Sequence, residues 1–194
     1  MTMKLVYDRS TLRVLGAQMV GYAGVDKRIA VLAPAIPAGM TAPQLKELDL
    51  AYAPPYSSAK DPVNMAGFMA ENLSRGLVQQ WRVGDEPALP RDGSAQLVDV
   101  RTPAEYEAGH LPGFINLPVD QLREHLDQLD KAKPVYLVCQ SGLRSYIAAR
   151  ILGDRGFRCA HLAGGYRFYA AVTRDQCLTA RAAACGMDLP EEEK

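Results

Sequence analysis

The sequence has no net charge, no long hydrophobic run and few cysteines, and each shortage excludes a class of protein. Its 22 Lys and Arg residues balance 22 Asp and Glu residues, so no basic excess predicts nucleic-acid binding. The longest apolar stretches, near residues 29–36 and 67–70, are far shorter than the roughly 18 residues that a membrane-spanning helix needs. No signal-peptide pattern opens the sequence. We therefore expect a cytoplasmic protein that binds neither nucleic acid nor membrane.

The four cysteines are too scattered to predict a disulfide framework or a zinc site. They are Cys139, Cys159, Cys177 and Cys185, and no pair has the Cys-x-x-Cys spacing. We therefore predict no bound metal. Cys159 lies in an apolar run and is predicted to be a core residue.

The chain is long enough for one large domain or two small ones, and a change in composition favours two. The segment from residue 74 to residue 94 has no apolar periodicity and is rich in glycine and proline, which is typical of a domain boundary. No internal repeat links the two halves. We predict a first domain over residues 1–76, a linker over 77–94, a second domain over 95–172 and a C-terminal tail over 173–194.

The second half alternates β-rich and helical patterns, which predicts an α/β fold. Strands are predicted at residues 96–100, 113–117, 135–138 and 158–162, and helices at 103–107, 119–129 and 145–155. Such alternation is typical of a parallel sheet with helices on both faces. In open sheets of this kind, ligands bind at the carboxyl ends of the strands.

The most informative residue is Cys139, which lies between a predicted buried strand and the start of a predicted helix. The first amides of a helix lack internal partners and form the positive end of its dipole, so a loop over them can hold an anion. Here the anion would be the Cys139 thiolate, the nucleophilic form, and Arg144 closes the loop. The alternative is a buried and inert cysteine, although the loop is polar and contains glycine.

Five segments of the second half, in order, resemble a rhodanese-type sulfurtransferase domain. They are Leu97-Val98-Asp99-Val100-Arg101, Glu105-Tyr106, the run from Gly109 to Pro118, the loop from Cys139 to Ser145, and Leu162-Ala163-Gly164-Gly165-Tyr166. The resemblance implies that the cysteine attacks a sulfane sulfur, holds it as a persulfide and yields it to a thiol acceptor.

Each residue of the loop then has an expected role. Arg144 either attracts an anionic sulfur donor or locks the loop through hydrogen bonds to carbonyl and carboxylate groups, since its planar fork serves both purposes. Gly142 is expected to supply backbone freedom. Gln140, Ser141 and Leu143 are expected to shape the entry to the site.

Three nearby residues resemble family positions outside the loop. Asp99 and Arg101 end the first strand of the domain and resemble the family's Asp-x-Arg pair, which would support the loop; a plain structural ion pair is the alternative. His110 is a candidate general base, but its Gly-His-Leu-Pro-Gly turn also has a structural explanation.

A rival family also presents a cysteine-to-arginine anion loop. Cysteine phosphatases and arsenate reductases resemble Cys-x5-Arg, whereas Cys139 and Arg144 form Cys-x4-Arg. The shorter loop favours a sulfur atom over a tetrahedral oxyanion.

Cys177 and Cys185 could resolve a persulfide as a disulfide, but no spacing supports this and we favour unpaired bystanders.

The first half is predicted to be a smaller α+β unit. Strands are predicted at residues 3–8 and 13–20, followed by a helix over 26–38 with Asp26 as N-cap, which Pro34 and Pro37 would kink or end early. Thr41 is expected to cap a short helix through Leu48. Asp61-Pro62 is expected to open a last helix to Leu73.

This half resembles part of the dimerisation domain of pyridine nucleotide-disulfide oxidoreductases, in the subgroup of coenzyme A-disulfide reductases and NADH oxidases. The segments that carry the resemblance are residues 15–21, 24–29 and 50–64. In that family a tyrosine from this region reaches the partner subunit's active site. Tyr52 and Tyr56 are the candidates, with simple interface packing as the alternative. A fragment of such a domain leaves an unpaired strand edge and exposed apolar faces, so we predict a homodimer formed through residues 1–76.

The family's nucleotide-binding motif is missing. No Gly-x-Gly-x-x-Gly follows a strand, so we do not expect this chain to bind FAD or NAD, and we expect FAD, NAD and coenzyme A only in full-length relatives. Three functions remain open: a sulfurtransferase, a non-catalytic interaction module, and an oxidoreductase that is active only with the absent flavin domains.

Overall fold

A computed structural model describes residues 1–184, with side chains through Cys177. The chain forms two compact units, one from Met1 to Leu77 and the other from Val78 onwards. None of the described helices is both long enough and apolar enough to span a membrane.

The first unit is a hairpin followed by helices. Strands β1 (Thr2–Tyr7) and β2 (Val14–Val20) pair antiparallel, and α1 (Val25–Ala35), a 3₁₀ helix (Ala42–Glu47) and α2 (Pro62–Ser74) follow. These elements lie where the sequence predicts them. Their buried core consists of Val14, Leu32, Ala35, Ala42, Leu45, Val63 and Ala70.

Local capping explains where two of these helices begin. The backbone N–H of Thr41, just before the 3₁₀ helix, donates to the Gln44 side chain at 2.8 Å, and the Asp61 carboxylate accepts a hydrogen bond from the backbone N–H of Val63 at 3.0 Å. Such bonds satisfy amides that the first helical turn leaves without partners. Both helices therefore begin where the sequence predicts, although the Thr41 side chain itself makes no capping hydrogen bond.

The predicted cap of α1 is wrong. Asp26 lies inside the first turn, and the residue before the helix is Gly24, with a left-handed φ of 69°. Glycine adopts this conformation without the steric penalty that a Cβ would bring. The helix ends at Ala35, before Pro37, as the proline pattern predicts.

The second unit is built on a five-stranded parallel sheet in the order β3-β7-β6-β4-β5. The strands are β3 (Gln80–Trp81), β4 (Gln96–Asp99), β5 (Ile115–Asn116), β6 (Val135–Val138) and β7 (Cys159–Leu162), and the helices are α3 (Pro103–Glu107), α4 (Leu143–Gly153) and α5 (Gly165–Ala184). Two further 3₁₀ helices span Val83–Ala88 and Leu126–Gln128.

Two separate apolar clusters surround this sheet, as expected when helices cover both faces. One contains Leu137 with α4 residues such as Ala148 and Leu152, and the other contains Leu162 with Tyr166 and Tyr169 of α5 packed against it. Alternate side chains of a strand point to opposite faces, so neighbouring residues of β6 and β7 enter different clusters. The predicted α/β fold is confirmed.

The helix predicted over residues 119–129 is wrong. The segment forms successive tight turns instead, with hydrogen bonds from Leu122 to Val119, from His125 to Leu122 and from Leu129 to Leu126. Each bond spans three residues, so the buried side chains recur at the spacing that also indicates a helix.

The predicted linker and tail also need correction. From Val78 onwards the linker segment belongs to the second unit, where β3 pairs with β7 and Trp81 is only 3% exposed. The predicted tail overlaps α5, which continues without a break to Ala184. Cys185 and the acidic end of the chain lie outside the described residues.

Candidate functional site: a cysteine loop at the carboxyl edge of the sheet

The predicted strand-to-helix turn forms at the carboxyl end of a central strand. β6 ends at Val138, Cys139 follows at once, and α4 begins at Leu143. Gly142 immediately precedes the helix with φ +108°, a backbone conformation that residues with a Cβ rarely adopt. The glycine therefore lets the chain turn from strand to helix within four residues.

The sulfur of Cys139 receives a hydrogen bond from the loop backbone. The N–H of Gly142 donates to Cys139 Sγ at 3.1 Å, and Cys139 is fully buried. Among residues 1–177, the neighbouring amides of Ser141, Leu143 and Arg144 donate no hydrogen bond to a protein group. Amides of this kind, at the positive end of a helix, favour an anion.

Two amides of helix α5 donate hydrogen bonds to carbonyl groups of the same loop. The N–H of Tyr166 donates to the Cys139 carbonyl at 2.7 Å, and the N–H of Arg167 donates to the Gln140 carbonyl at 3.1 Å. A Cβ on Gly165 would lie 2.6 Å from the Ser141 nitrogen, a separation too short for any side chain. Helix α5 thus satisfies the carbonyl groups of Cys139 and Gln140 and packs closely against the loop.

Arg144 makes a two-pronged ion pair with Glu105 of α3. Its Nη1 and Nη2 atoms donate to Glu105 Oε2 and Oε1 at 2.7 and 2.6 Å. Hydrogen bonds from Arg144, with further ones from Thr102, lower the pKa of the Glu105 carboxyl to about 2, and the same pairing raises the pKa of Arg144. The structure thus shows the contact expected of a loop-locking Arg144, with a carboxylate as its acceptor.

The predicted supporting pair lies deeper. Arg101 pairs with Asp99 through its Nε and Nη2 atoms, the shortest contact being 2.6 Å, and both residues are buried. Arg101 also donates to the Gln140 side chain at 3.2 Å and to the Gly109 carbonyl at 2.7 Å, and its guanidinium lies 4.1 Å from the centre of the Tyr166 ring. The pair therefore contacts the loop through Gln140 and contacts α5 through Tyr166.

His110, the candidate general base, contacts Tyr106. Its Nδ1 lies 3.0 Å from the Tyr106 carbonyl oxygen, and its ring stacks on that of Tyr106 at 3.9 Å. These contacts match the structural explanation of the Gly-His-Leu-Pro-Gly turn.

Two other described cysteines, Cys159 and Cys177, lie outside the loop. Cys159 is half-buried in β7 and its thiol donates to the Ala149 carbonyl at 3.2 Å, while burial raises its pKa to about 11. Cys177 is exposed on α5. In the described part of the chain, no group of three His, Cys, Asp or Glu side chains forms a potential metal site.

The two candidate tyrosines belong to the first unit. Tyr52 and Tyr56 are 50% and 79% exposed, in a segment without regular secondary structure between the 3₁₀ helix and α2. The Lys27 ammonium lies 5.8 Å from the centre of the Tyr56 ring.

Sequence reasoning missed two contributors to the site, Glu105 and Gly165. A signal for Glu105 was available, because Thr102 and Glu105 have the Thr-x-x-Glu spacing of a capping box, which places the glutamate at the start of α3. The spacing does not reveal that Arg144, 39 residues later, is the partner. Gly165 appears in the sequence only as part of a Gly-Gly pair.

Family models match both units. Residues 87–171 match the rhodanese-like domain, and residues 1–62 match the dimerisation domain of the pyridine nucleotide-disulphide oxidoreductases. The second unit is therefore similar to a rhodanese-like domain, and the first unit is similar to that dimerisation domain.

Among curated relatives, an uncharacterized protein, YqhL of Bacillus subtilis, is 43% identical over 74 residues, which is 38% of this chain and 59% of that protein. Coenzyme A disulfide reductase of Staphylococcus aureus is 46% identical over 69 residues, which is 36% of this chain and 16% of the reductase.

Two solved structures resemble most of the chain. The reduced CoADR-RHD of Bacillus anthracis has a TM-score of 0.85 at 41% identity, over 89% of this chain and 31% of that one. The NAD-dependent persulfide reductase of A. fulgidus has a TM-score of 0.74 at 42% identity, over 86% of this chain and 29% of that one. The chain thus spans about a third of the length of either solved protein.

Proposed function

We propose that this chain, which joins a rhodanese-like domain to part of an oxidoreductase dimerisation domain, transfers sulfane sulfur through a persulfide on Cys139. The observation that carries the proposal is the hydrogen bond from the Gly142 N–H to Cys139 Sγ, within a turn whose neighbouring amides have no acceptor among the described residues. That arrangement suits a thiolate and, after transfer, a negatively charged persulfide.

In the first half-reaction, the Cys139 thiolate attacks the outer sulfur of a donor. A new S–S bond forms on Cys139, the donor's bond to that sulfur breaks, and the leaving group departs with its electron pair. With thiosulfate, the products are the enzyme persulfide anion and sulfite. The amides of the loop stabilise the charge on the outer sulfur as an oxyanion hole stabilises oxygen.

In the second half-reaction, an acceptor thiolate attacks the outer sulfur and displaces the Cys139 thiolate. The acceptor leaves as a persulfide and the enzyme returns to its starting state. Because the outer sulfur carries negative charge at rest, it becomes electrophilic only when protonated. We propose that the proton comes from the arriving acceptor thiol.

The chain itself is proposed to need no flavin or nicotinamide for this reaction. Reduction of disulfides or persulfides, as named for the relatives, would require nucleotide-binding domains, and the sequence contains no Gly-x-Gly-x-x-Gly motif. We further propose that the first unit forms a homodimer, in which Tyr52 and Tyr56 lie towards the partner subunit.

Replacing Cys139 tests the central proposal. After incubation with thiosulfate and gel filtration, intact mass spectrometry should show a gain of one sulfur, roughly 32 Da, in the wild type and none in Cys139→Ser. Cyanide should remove the added sulfur as thiocyanate.

The matched control is Cys177→Ser, which removes an exposed thiol outside the loop and should leave the mass gain intact. A gain that persists in Cys139→Ser would contradict the proposal. A wild type that gains nothing from thiosulfate, polysulfide or glutathione persulfide would instead indicate a non-catalytic interaction module.

A further inference from the structure

We propose that Glu105 is a specificity-determining positioning residue that holds Arg144 and so keeps this guanidinium from binding a dianionic sulfur donor at the Cys139 loop. The inference rests on the proposed sulfur transfer and assigns the discrimination between donors of different charge to a residue of α3.

Four donors fix the Glu105 carboxylate before any ligand arrives. The backbone N–H and the hydroxyl of Thr102 donate to Oε2 at 3.0 and 2.9 Å, and the two terminal nitrogens of Arg144 donate to the two oxygens at 2.7 and 2.6 Å. Parallel bonds between a guanidinium and a carboxylate are stronger and more directional than single ones. An anion at the loop must therefore compete with a preorganised partner for Arg144.

The deeper pair of Asp99 and Arg101 is likewise electrically neutral. The Arg101 guanidinium donates to the Gln140 side chain but is neutralised by Asp99, with which it shares three side-chain hydrogen bonds. Both guanidiniums thus have a carboxylate of their own. Arg167 joins the loop through its backbone, and its residue is exposed.

This balance matters most for a donor with two negative charges. Thiosulfate brings a charge of −2 towards a site that is to hold a thiolate, so its approach is repelled unless a free cation compensates. Methanethiosulfonate carries the same outer sulfur with a charge of −1 and leaves as methanesulfinate. The two donors undergo the same displacement, so their relative rates report the charge of the site.

The test compares the two donors in Glu105→Gln at low ionic strength. The substitution keeps the size of the side chain but removes its charge, which frees Arg144. We expect the ratio of kcat/KM for thiosulfate to that for methanethiosulfonate to rise roughly five- to tenfold, mainly through a lower KM for thiosulfate. In the double variant Glu105→Gln, Arg144→Gln, the rise should disappear.

Glu107→Gln is the matched control, because it removes one negative charge from an exposed position of the same helix. It should leave the ratio within about twofold of the wild type. An unchanged ratio in Glu105→Gln, or an equal loss for both donors, would overturn the proposal, because the residue would then support only the shape of the loop.

A binding measurement separates this inference from the proposed function. In a Cys139→Ser background, in which no transfer is possible, Glu105→Gln should tighten the equilibrium binding of thiosulfate by the same factor in calorimetry. If wild type fails to take sulfur from either donor, the proposed function fails, whereas the calorimetric comparison still decides the role of Glu105. Glu105→Asp, which keeps the charge, should show no tightening.

Discussion

The two carboxylate–guanidinium pairs beside Cys139 differ in burial, and burial decides what each can contribute. The Asp99 and Arg101 side chains are 0% and 2% exposed, whereas those of Glu105 and Arg144 are 33% and 31% exposed. Breaking a buried pair leaves an uncompensated charge in a medium that solvates it poorly, which costs about 3–5 kcal/mol. Water can solvate either partner of the outer pair when the other is removed, so breaking that pair costs much less.

His161 is a buried histidine that the proposed chemistry does not use. It lies in β7, is 1% exposed, and contacts the Tyr146 ring edge-on at 5.9 Å. Neither ring nitrogen has a hydrogen-bond partner, and burial lowers the pKa of the imidazole to about 4. The folded protein therefore holds this ring neutral.

The first prediction concerns this residue and acid stability. Between the unfolded pKa of about 6.5 and the folded pKa of about 4, the unfolded chain binds a proton at His161 that the folded chain does not, so stability falls as the pH falls. We expect the free energy of unfolding of wild type to drop by roughly 2–3 kcal/mol more than that of His161→Leu between pH 7.5 and 4.5. Urea denaturation at the two pH values measures this difference.

His110→Gln provides the control, because it removes an exposed histidine in place of a buried one. Equal pH dependence in wild type and His161→Leu would show that His161 gains a proton in the folded state without cost.

At the scale of elements, the short strand β3 changes the boundary of the second unit. Its Trp81 packs beside Leu97 and Leu162 in one of the two apolar clusters, and its indole N–H donates to the Leu137 carbonyl at 3.3 Å. An aromatic ring in such surroundings contributes much more to stability than a linker residue does.

We therefore predict that Trp81→Ala destabilises the protein by about 3–5 kcal/mol, and that Trp81→Phe, which keeps a ring but loses the hydrogen bond, costs much less. Because Trp81 is the only tryptophan, circular dichroism rather than fluorescence must follow unfolding of the variants. A loss below about 0.5 kcal/mol in Trp81→Ala would favour the linker interpretation instead.

The segment over residues 119–129 shows why periodicity alone can mislead. Val119, Leu122 and Leu129 are buried, and their spacing fits a helix. The structure buries them with a chain of three-residue turns, in which the backbone bonds differ but the apolar side chains still face the sheet. The spacing of apolar residues indicates which side chains face the core, but more than one backbone conformation can produce the same spacing.

At the scale of the whole molecule, the first unit exposes apolar side chains that a partner could cover. Val6, Leu15 and Val20 of the hairpin are 42%, 56% and 68% exposed. The sheet that carries them has only two strands, and such sheets are marginal in water without further packing. These features, with the match to a dimerisation domain, support the proposed homodimer.

The corresponding prediction is that sedimentation velocity at about 1–50 μM gives twice the chain mass. Replacing Leu15 and Val20 together by lysine should shift the protein towards monomer, because an apolar interface would then have to bury charge. Ile115→Lys, at a similarly exposed apolar residue of the second unit, should leave the dimer unchanged. A monomeric wild type throughout this range would contradict the prediction.

The sequence by itself determined the features that depend on neighbouring residues. The turn from Cys139 to Gly142, the capping of α2 by Asp61 and the paired residues Asp99 and Arg101 involve groups within a few positions of one another. Bond geometry and helix-end chemistry restrict such groups to few arrangements, so motif and spacing predict them.

Only the tertiary structure decided the contacts between distant parts of the chain. The partner of Arg144, the support of the loop by α5, the place of Trp81 in the core and the unpaired burial of His161 all depend on which elements the sheet order brings together. A carboxylate or a ring carries no local signal of its distant partner, because that partner is selected by the packing of the whole unit.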